Sequence, residues 1–272
     1  MSQRPRPGWW RRRLDPERSL GLRLTLAAAA AVLLLVPFTV LMLLVAAAWP
    51  PLLDVDARLA GSLHAGTSAN PAAATALQLW TDVFGPGPLR VLVGLVAVWL
   101  WWRGARRVAI WAVVTMAAGG LLGAGLKLLL GRDRPEFLDP VSQAAGYSFP
   151  SGHSLTAALG AGVLLLIFLP FAADAAPART RRAARWAMCG AAVVVTAATG
   201  LSRIALGVHW LSDVLAGWTL GIAIVAATTA AFATWRGLPA RQRSAEHAFD
   251  EAVHPDGHHP DGQHPGRQHP GE

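Results

Sequence analysis

The chain has 272 residues and a net charge of +8; 53% of its residues are hydrophobic and only 15% are charged. A soluble domain usually has about 25% charged residues, so this composition argues against a soluble fold. The apolar residues stand in long blocks, which predict a polytopic membrane protein. Short arginine clusters separate the blocks, and no segment combines basic stripes with exposed aromatics, so we expect no nucleic-acid partner. Cys189 is the only cysteine, which excludes an intrachain disulfide.

The N-terminal region combines a basic tail with an apolar block. Residues 1–23 hold seven arginines and two adjacent tryptophans, which is typical of a cytoplasmic tail at a membrane interface. Leu24 to Ala48 is a run of 25 residues without a charge, long enough to cross about 30 Å of hydrocarbon. A signal peptide is the alternative, because the run ends in small residues. Its length exceeds an h-region of about 7–15 residues, which favours an uncleaved helix.

Five further apolar blocks are each predicted to span the membrane. Their approximate bounds are 88–102, 108–130, 154–173, 186–201 and 211–235. With the first span they predict an all-α fold, a polytopic membrane bundle of about six transmembrane helices. Six spans place both termini and every arginine cluster on the cytoplasmic side of the cell membrane. The segments 50–87, 131–153 and 202–210 then lie on the external face.

Two of these regions carry local signals. Proline and glycine breakers bracket segment 50–87, which predicts short helical pieces lying at the outer surface. We expect His64 in this segment to be a plain polar residue and not a ligand. In the third span, Gly119 and Gly123 have GxxxG spacing, which predicts close helix packing.

The predicted organisation is a basic tail (residues 1–23), a membrane domain (residues 24–235) and a C-terminal tail (residues 236–272). The C-terminal tail is of low complexity, with histidines every five residues at His254, His259, His264 and His269. Histidine-rich tracts can bind metal, whereas proline and glycine at this density favour a disordered tail. We predict no metal in the membrane domain.

Three clusters of chemically capable residues follow one another at the predicted external face. The first is Lys127, the only lysine of the chain, with Arg134-Pro135. The second is the run from Pro150 to His153. The third is Ser202-Arg203 with His209 and Asp213. Charged residues near membrane depth are costly and are usually functional, so three such clusters on one face indicate a site.

The residue types in these clusters suit a phosphate. Lys127, Arg134 and Arg203 supply permanent positive charges, and we expect Asp133 and Glu136 to balance a fourth cation, Arg132. Ser151 and Gly152 begin a helix, whose backbone N–H groups and dipole attract an anion, and the Ser151 hydroxyl can donate another hydrogen bond.

Two histidines and an aspartate supply the reactive groups. His209 and Asp213 share a helical face at i, i+4, so Asp213 can orient the imidazole and leave its other nitrogen free to attack. His153 can then act as a general acid on the leaving oxygen.

The clusters resemble the signature of the type 2 phosphatidic acid phosphatase superfamily: KxxxxxxRP, PSGH and SRxxxxxHxxxD. The sequence matches all three without a substitution between Lys127 and Asp213. The superfamily includes lipid phosphate phosphatases and the related vanadium haloperoxidases, and the predicted spans favour the membrane branch.

The resemblance implies a bundle of six helices that hydrolyses phosphate esters without a metal or another cofactor. It implies that His209 is the nucleophile forming a phosphohistidine, that Asp213 orients it and that His153 protonates the leaving group. It assigns phosphate binding to Lys127, Arg134, Ser151, Gly152 and Arg203.

The implied partners are the bilayer and a phosphorylated lipid, with phosphatidate, a polyprenyl diphosphate such as undecaprenyl diphosphate, and phosphatidylglycerol phosphate all fitting the site. Two other functions stay open. One is a lipid phosphotransferase that uses the same intermediate. The other is a non-enzymatic lipid-binding or transport protein, although transporters often contain internal repeats and none is visible in this sequence.

Overall fold

The structure, a computed structural model, describes residues 16–170 and 178–234, and all regular elements within these residues are α-helices. Most of the basic N-terminal tail, the end of the fourth predicted span and the histidine-rich tail lie outside the described residues. The eight helices in the described part are α1 (Pro16–Ala46), α2 (Pro50–Ser68), α3 (Pro71–Val83), α4 (Pro86–Trp102), α5 (Arg106–Leu130), α6 (Gly152–Phe168), α7 (Ala178–Ala205) and α8 (Leu211–Thr234).

The prediction of an all-α membrane bundle is confirmed. Five stretches are long and apolar enough to cross a membrane: Ala28–Ala46, Pro71–Trp102, Arg106–Leu130, Arg179–Ala205 and Leu211–Phe232. A sixth helix, α6, is apolar in composition but has only 17 residues. These six elements correspond to the six predicted spans. The described residues 16–170 and 178–232 belong to one compact unit. Of a second unit, the structure describes only residues 233 and 234, the last two of α8.

The fifth predicted span differs from its helix at both ends. The predicted bounds were 186–201, whereas α7 runs from Ala178 to Ala205. Arginine is a good helix former, so the exposed arginines near Arg179 lengthen the helix on its N-terminal side. Ser202 and Arg203 consequently lie in the last turn of α7 and not in the connection, which shortens to residues 206–210.

Small residues let neighbouring helices approach α6 closely. The GxxxG prediction holds, because a Cβ atom at Gly119 or Gly123 of α5 would clash with leucine side chains of α6. On another side, a Cβ atom at Gly217 of α8 would lie 2.8 Å from the Ser151 carbonyl oxygen. Helix α6 is therefore enclosed by α5 and α8, and its starting turn is pressed against α8.

Segment 50–87 forms helices α2 and α3, each starting at a proline after an extended residue. The helices were predicted, but their burial was not: Asp56, Ala60, His64 and Thr67 form a buried stripe along α2. His64 stacks on Phe137 with ring centroids 4.0 Å apart, and its Nε2 donates to the Asp139 carbonyl oxygen at 3.0 Å. The expected surface helices are present, but one face of α2 packs onto the bundle, so His64 is buried and makes structural contacts.

Candidate active site

The predicted site residues come together at one end of the bundle. Lys127 and Arg203 occupy the last turns of α5 and α7, and His153 and Asp213 the first turns of α6 and α8. Successive helices run in opposite directions, so the C-terminal ends of α5 and α7 meet the N-terminal ends of α6 and α8. The loops between them add Arg134 and His209.

His209 and Asp213 form the buried centre of this end. The imidazole Nδ1 lies 3.3 Å from Asp213 Oδ2, and the same oxygen accepts a hydrogen bond from the backbone N–H of Trp210 at 2.9 Å. Both side chains are almost fully shielded from solvent. The predicted i, i+4 pairing is present, and the aspartate also fixes the backbone that carries the histidine.

Arg134 determines which imidazole nitrogen carries the proton. Its Nη1 lies 3.2 Å from His209 Nε2, and a guanidinium can only donate. Nε2 therefore accepts, and Nδ1 carries the proton that is donated to Asp213. Burial lowers the pKa of His209 from 6.5 to about 4; Asp213 opposes this shift, and the charges of Arg134 and Lys127 add to it. The imidazole is neutral at physiological pH, with the lone pair of Nε2 directed at Arg134.

Backbone carbonyl groups fix the Arg134 guanidinium. Nη1 donates to the Val208 carbonyl oxygen at 2.6 Å, and Nε donates to that of Gly146 at 2.8 Å. Lys127 Nζ donates to the Tyr147 carbonyl oxygen at 2.5 Å, and Arg134 Nη2 reaches the same oxygen at 3.3 Å. The two cations therefore lie side by side next to His209. Burial lowers the pKa of Arg134.

Arg203 approaches the site from the side of α3. Its Nη1 donates to Thr81 Oγ1 at 3.3 Å, whereas its buried Nε has no hydrogen-bond partner among the described residues. A buried guanidinium donor without a partner is costly, and an anionic oxygen would satisfy it. The positive charges of Arg203, Arg134 and Lys127 lie close enough to His153 to disfavour its protonated form.

The turn that starts α6 joins the site through its backbone. Ser151 is the N-cap residue, and its Oγ accepts from the Ser154 N–H at 3.4 Å, which leaves the hydroxyl hydrogen for another acceptor. The Ser151 N–H donates to the Asp213 carbonyl oxygen at 3.0 Å, tying this turn to α8. A Cβ atom at Gly152 would meet no atom within 4 Å, so Gly152 borders open space. His153 Nε2 lies next to Gly85, 3.5 Å from where a Cβ atom of that residue would stand.

The expectation that Asp133 and Glu136 balance the charge of Arg132 was wrong. Its ion-pair partners in the structure are Asp213 at 2.7 Å and Asp56 at 2.8 Å, not Asp133 or Glu136. Asp56, which lies 76 positions from Arg132, was not among the residues predicted from the sequence. The available signal was the spacing of Asp56, Ala60 and His64, which places all three on one helical face.

Comparison with known proteins relates this site to a family. Residues 108–236 match the sequence model of the PAP2 superfamily. An undecaprenyl-diphosphatase from Sulfolobus acidocaldarius is 29% identical over 136 residues, which are 48% of this chain and 58% of that protein. Phosphatidylglycerophosphatase B from Bacillus subtilis is 36% identical over 105 residues, which are 38% of this chain and 47% of that protein. The chain thus spans about half the length of these curated relatives.

A solved structure shares the fold. It is the crystal structure of a transmembrane PAP2-type phosphatidylglycerolphosphate phosphatase from Bacillus subtilis, with a TM-score of 0.59 and 24% sequence identity. The likeness covers 71% of this chain and 93% of that chain. The segment that matches the family also contains the complete three-part signature, from Lys127 to Asp213. The segment from residue 108 to residue 236 is therefore similar to the PAP2 superfamily.

Proposed function

We propose that the protein is a membrane-embedded phosphatase that hydrolyses lipid phosphate monoesters or diphosphates through a phosphohistidine intermediate. The observation that carries this proposal is the state of His209. Its Nδ1 proton is held by Asp213, and its Nε2 lone pair is presented beside two cations. A neutral imidazole with a free Nε2 is a nucleophile, and a carboxylate on Nδ1 stabilises the positive charge that develops when it attacks.

The first half-reaction transfers the phosphoryl group to the enzyme. A phosphate oxygen replaces Nε2 as a partner of Arg134, and Lys127 and Arg203 neutralise the remaining charge. The negative charge of the bound phosphate offsets the neighbouring cations and favours the protonated form of His153. Nε2 attacks phosphorus, the bond from phosphorus to the leaving oxygen breaks, and protonated His153 gives that oxygen a proton. The products are a lipid alcohol, or a lipid monophosphate when the substrate is a diphosphate, and phosphohistidine at His209.

The second half-reaction releases phosphate. His153, now neutral, takes a proton from water as the water oxygen attacks phosphorus, and the bond from phosphorus to Nε2 breaks. Ser151 and Gly152 hold the phosphoryl oxygens in both steps, aided by the positive end of the α6 dipole. These steps use side chains and water only, so we expect no metal requirement.

The names of the relatives support a lipid substrate. An undecaprenyl-diphosphatase is similar to this chain over 136 residues, and a phosphatidylglycerophosphatase over 105 residues. We propose polyprenyl diphosphates, phosphatidylglycerol phosphate and phosphatidate as the substrates to test. The arginine clusters at residues 103–107 and 179–185 fall at the opposite ends of their helices from the site. They support a cell-membrane orientation with both termini in the cytoplasm and the site on the external face.

The test is phosphate release from these lipids by detergent-solubilised protein in excess chelator. We expect activity in wild type and a loss of roughly a thousandfold or more in His209→Asn, because that variant lacks the nucleophile. Alkali-quenched wild type should carry an acid-labile, alkali-stable phosphoryl group that His209→Asn lacks. Full activity in His209→Asn would refute the mechanism, and transfer of label to an organic acceptor instead of water would indicate a phosphotransferase.

A matched histidine variant separates the two proposed histidine roles. In His153→Asn the first half-reaction should be slow on lipid phosphates but largely restored on an aryl phosphate, whose phenolate leaves without a proton. The restored step is measured as a pre-steady-state burst of phenolate, because steady-state turnover still lacks the base of the second half-reaction. His209→Asn should stay inactive on both substrates. If the aryl phosphate restores neither variant, His153 is not the general acid.

A further inference from the structure

Asp56 lies outside the segment that matches the family, yet it reaches the centre of the site. The family match begins at residue 108, whereas Asp56 is on α2. Its carboxylate is 1% exposed and accepts three hydrogen bonds: from Arg132 Nη2 at 2.8 Å, from the Ser212 N–H at 2.9 Å and from the Ser212 hydroxyl at 2.5 Å. A buried carboxylate with three donors is held in one position.

Arg132 connects this carboxylate to Asp213. While Nη2 binds Asp56, Nη1 donates at 2.7 Å both to Asp213 Oδ1 and to Ser212 Oγ. The guanidinium also lies over the Trp210 ring, 5.6 Å from its centroid. Asp213 thus accepts a hydrogen bond from Arg132 on one oxygen and from His209 on the other. The positive charge of Arg132 is shared between the carboxylates of Asp56 and Asp213.

We propose that Asp56 is a positioning residue for the phosphohistidine chemistry, acting through Arg132 and Ser212 on Asp213. This inference rests on the proposed function. Asp56 draws part of the Arg132 charge away from Asp213, so Asp213 keeps more of its negative charge for His209. Asp56 also anchors the first turn of α8, which carries Asp213, by its bonds to Ser212.

The same arrangement controls how the site binds anions. Asp56 compensates Arg132, so removal of its charge adds one net positive charge near the phosphate-binding residues. Phosphate should then bind more tightly. Arg132 would pair with Asp213 alone, which reduces the negative charge that Asp213 presents to His209. Loss of Asp56 therefore improves anion binding and impairs turnover, two changes that a disordered site would not produce together.

The experiment compares Asp56→Asn with Asp54→Asn, which removes the same charge from an exposed position of the same helix. Binding of inorganic phosphate to the full-length solubilised protein is measured by calorimetry at fixed ionic strength, and kcat and KM by phosphate release. In Asp56→Asn we expect phosphate affinity to rise by about threefold or more and kcat to fall by roughly ten- to a hundredfold. Asp54→Asn should change neither quantity by more than about twofold.

Additional variants make the result decisive. The double variant Asp56→Asn with Arg132→Met removes both charges, so its phosphate affinity should return to near the wild-type value. If Asp56→Asn does not fold, Ser212→Ala tests the anchoring of α8 with all charges kept. It should lower kcat several-fold and leave phosphate affinity unchanged, and an unchanged kcat would refute the anchoring.

Phosphate affinity in Asp56→Asn equal to that in Asp54→Asn would overturn the proposal. Phosphate binding requires no turnover. If wild type hydrolyses none of the lipids, the proposed function fails, while the phosphate affinities still test the role of Asp56.

Discussion

Replacing Asp213 by asparagine should slow phosphoryl transfer much more than it weakens substrate binding. At the observed 3.3 Å between His209 Nδ1 and Asp213 Oδ2, a full charge pair is worth about 5 kcal/mol at an effective dielectric constant of ~20. Arg132 neutralises part of the carboxylate, so we take about half of that energy, which corresponds to a loss in kcat of roughly two powers of ten.

The tautomer adds to this loss. An asparagine that directs its NH2 group at Nδ1 would move the histidine proton to Nε2, where it would face the donor Nη1 of Arg134. Serine protease triads lose on the order of 10⁴ in kcat when the same change reverses the histidine tautomer. We therefore expect kcat of Asp213→Asn to fall by about 10²–10³-fold, with KM within roughly threefold of wild type.

Steady-state phosphate release from a soluble short-chain lipid phosphate measures both constants. Asp139→Asn, an exposed aspartate on the loop that follows α5, is the matched control and should behave as wild type. A thermal unfolding curve for each variant checks that the bundle is intact. A folded Asp213→Asn protein that keeps kcat within tenfold of wild type would refute the assigned roles of Nδ1 and Nε2.

Three further predictions follow from the site and its supports. Because burial lowers the pKa of His209 to about 4, its NMR titration should have a midpoint well below pH 6.5. The His209 signal is assigned by its loss in His209→Asn. A midpoint at pH 6.5 or above would contradict the buried geometry. Gly152→Ala puts a methyl group into open space beside the phosphate-binding turn and should lower kcat/KM by roughly tenfold or more with little change in Tm. Gly119→Ala places a methyl group against α6 and should lower the free energy of unfolding by about 1–3 kcal/mol. A loss of stability in Gly152→Ala and of activity alone in Gly119→Ala would refute the packing. In a Cys189→Ser background, Ser142→Cys should react with an impermeant thiol reagent added to intact cells, whereas labelling only after lysis would reverse the proposed orientation.

The parts of the site that the sequence predicts are those with local spacing. His209 and Asp213 are one helical turn apart, and the turn at Ser151 precedes an apolar helix, so their pairing and capping follow from helix geometry. The gathering of the three motifs follows from the alternating direction of the spans. Arg203 was predicted in a connection but lies in the last turn of α7, because charge clusters do not determine where a helix ends.

The parts that the sequence did not predict depend on contacts between distant segments. Arg132 had two acidic residues nearby in sequence, and local balance was the simplest expectation. The structure pairs it with Asp56 instead, across 76 positions, because α2 buries one face against the bundle. In a helix of mixed composition, the only sign of that burial is the spacing of four residues between Asp56, Ala60 and His64.

The carboxylates of Asp56 and Asp213 also explain how the cations of the site can lie together at one end of the bundle. Lys127, Arg134 and Arg203 donate to neutral carbonyl or hydroxyl oxygens, so their charges remain available to an anion. Arg132 differs, because its guanidinium forms ion pairs with the carboxylates of Asp56 and Asp213. Buried carboxylates elsewhere in the site would cancel the charge that binds phosphate, whereas behind Arg132 they hold His209 and α8 in place. We therefore expect charge reversal at Arg132 to disrupt the geometry of the nucleophile, and charge removal at Arg134 or Arg203 to weaken phosphate binding first.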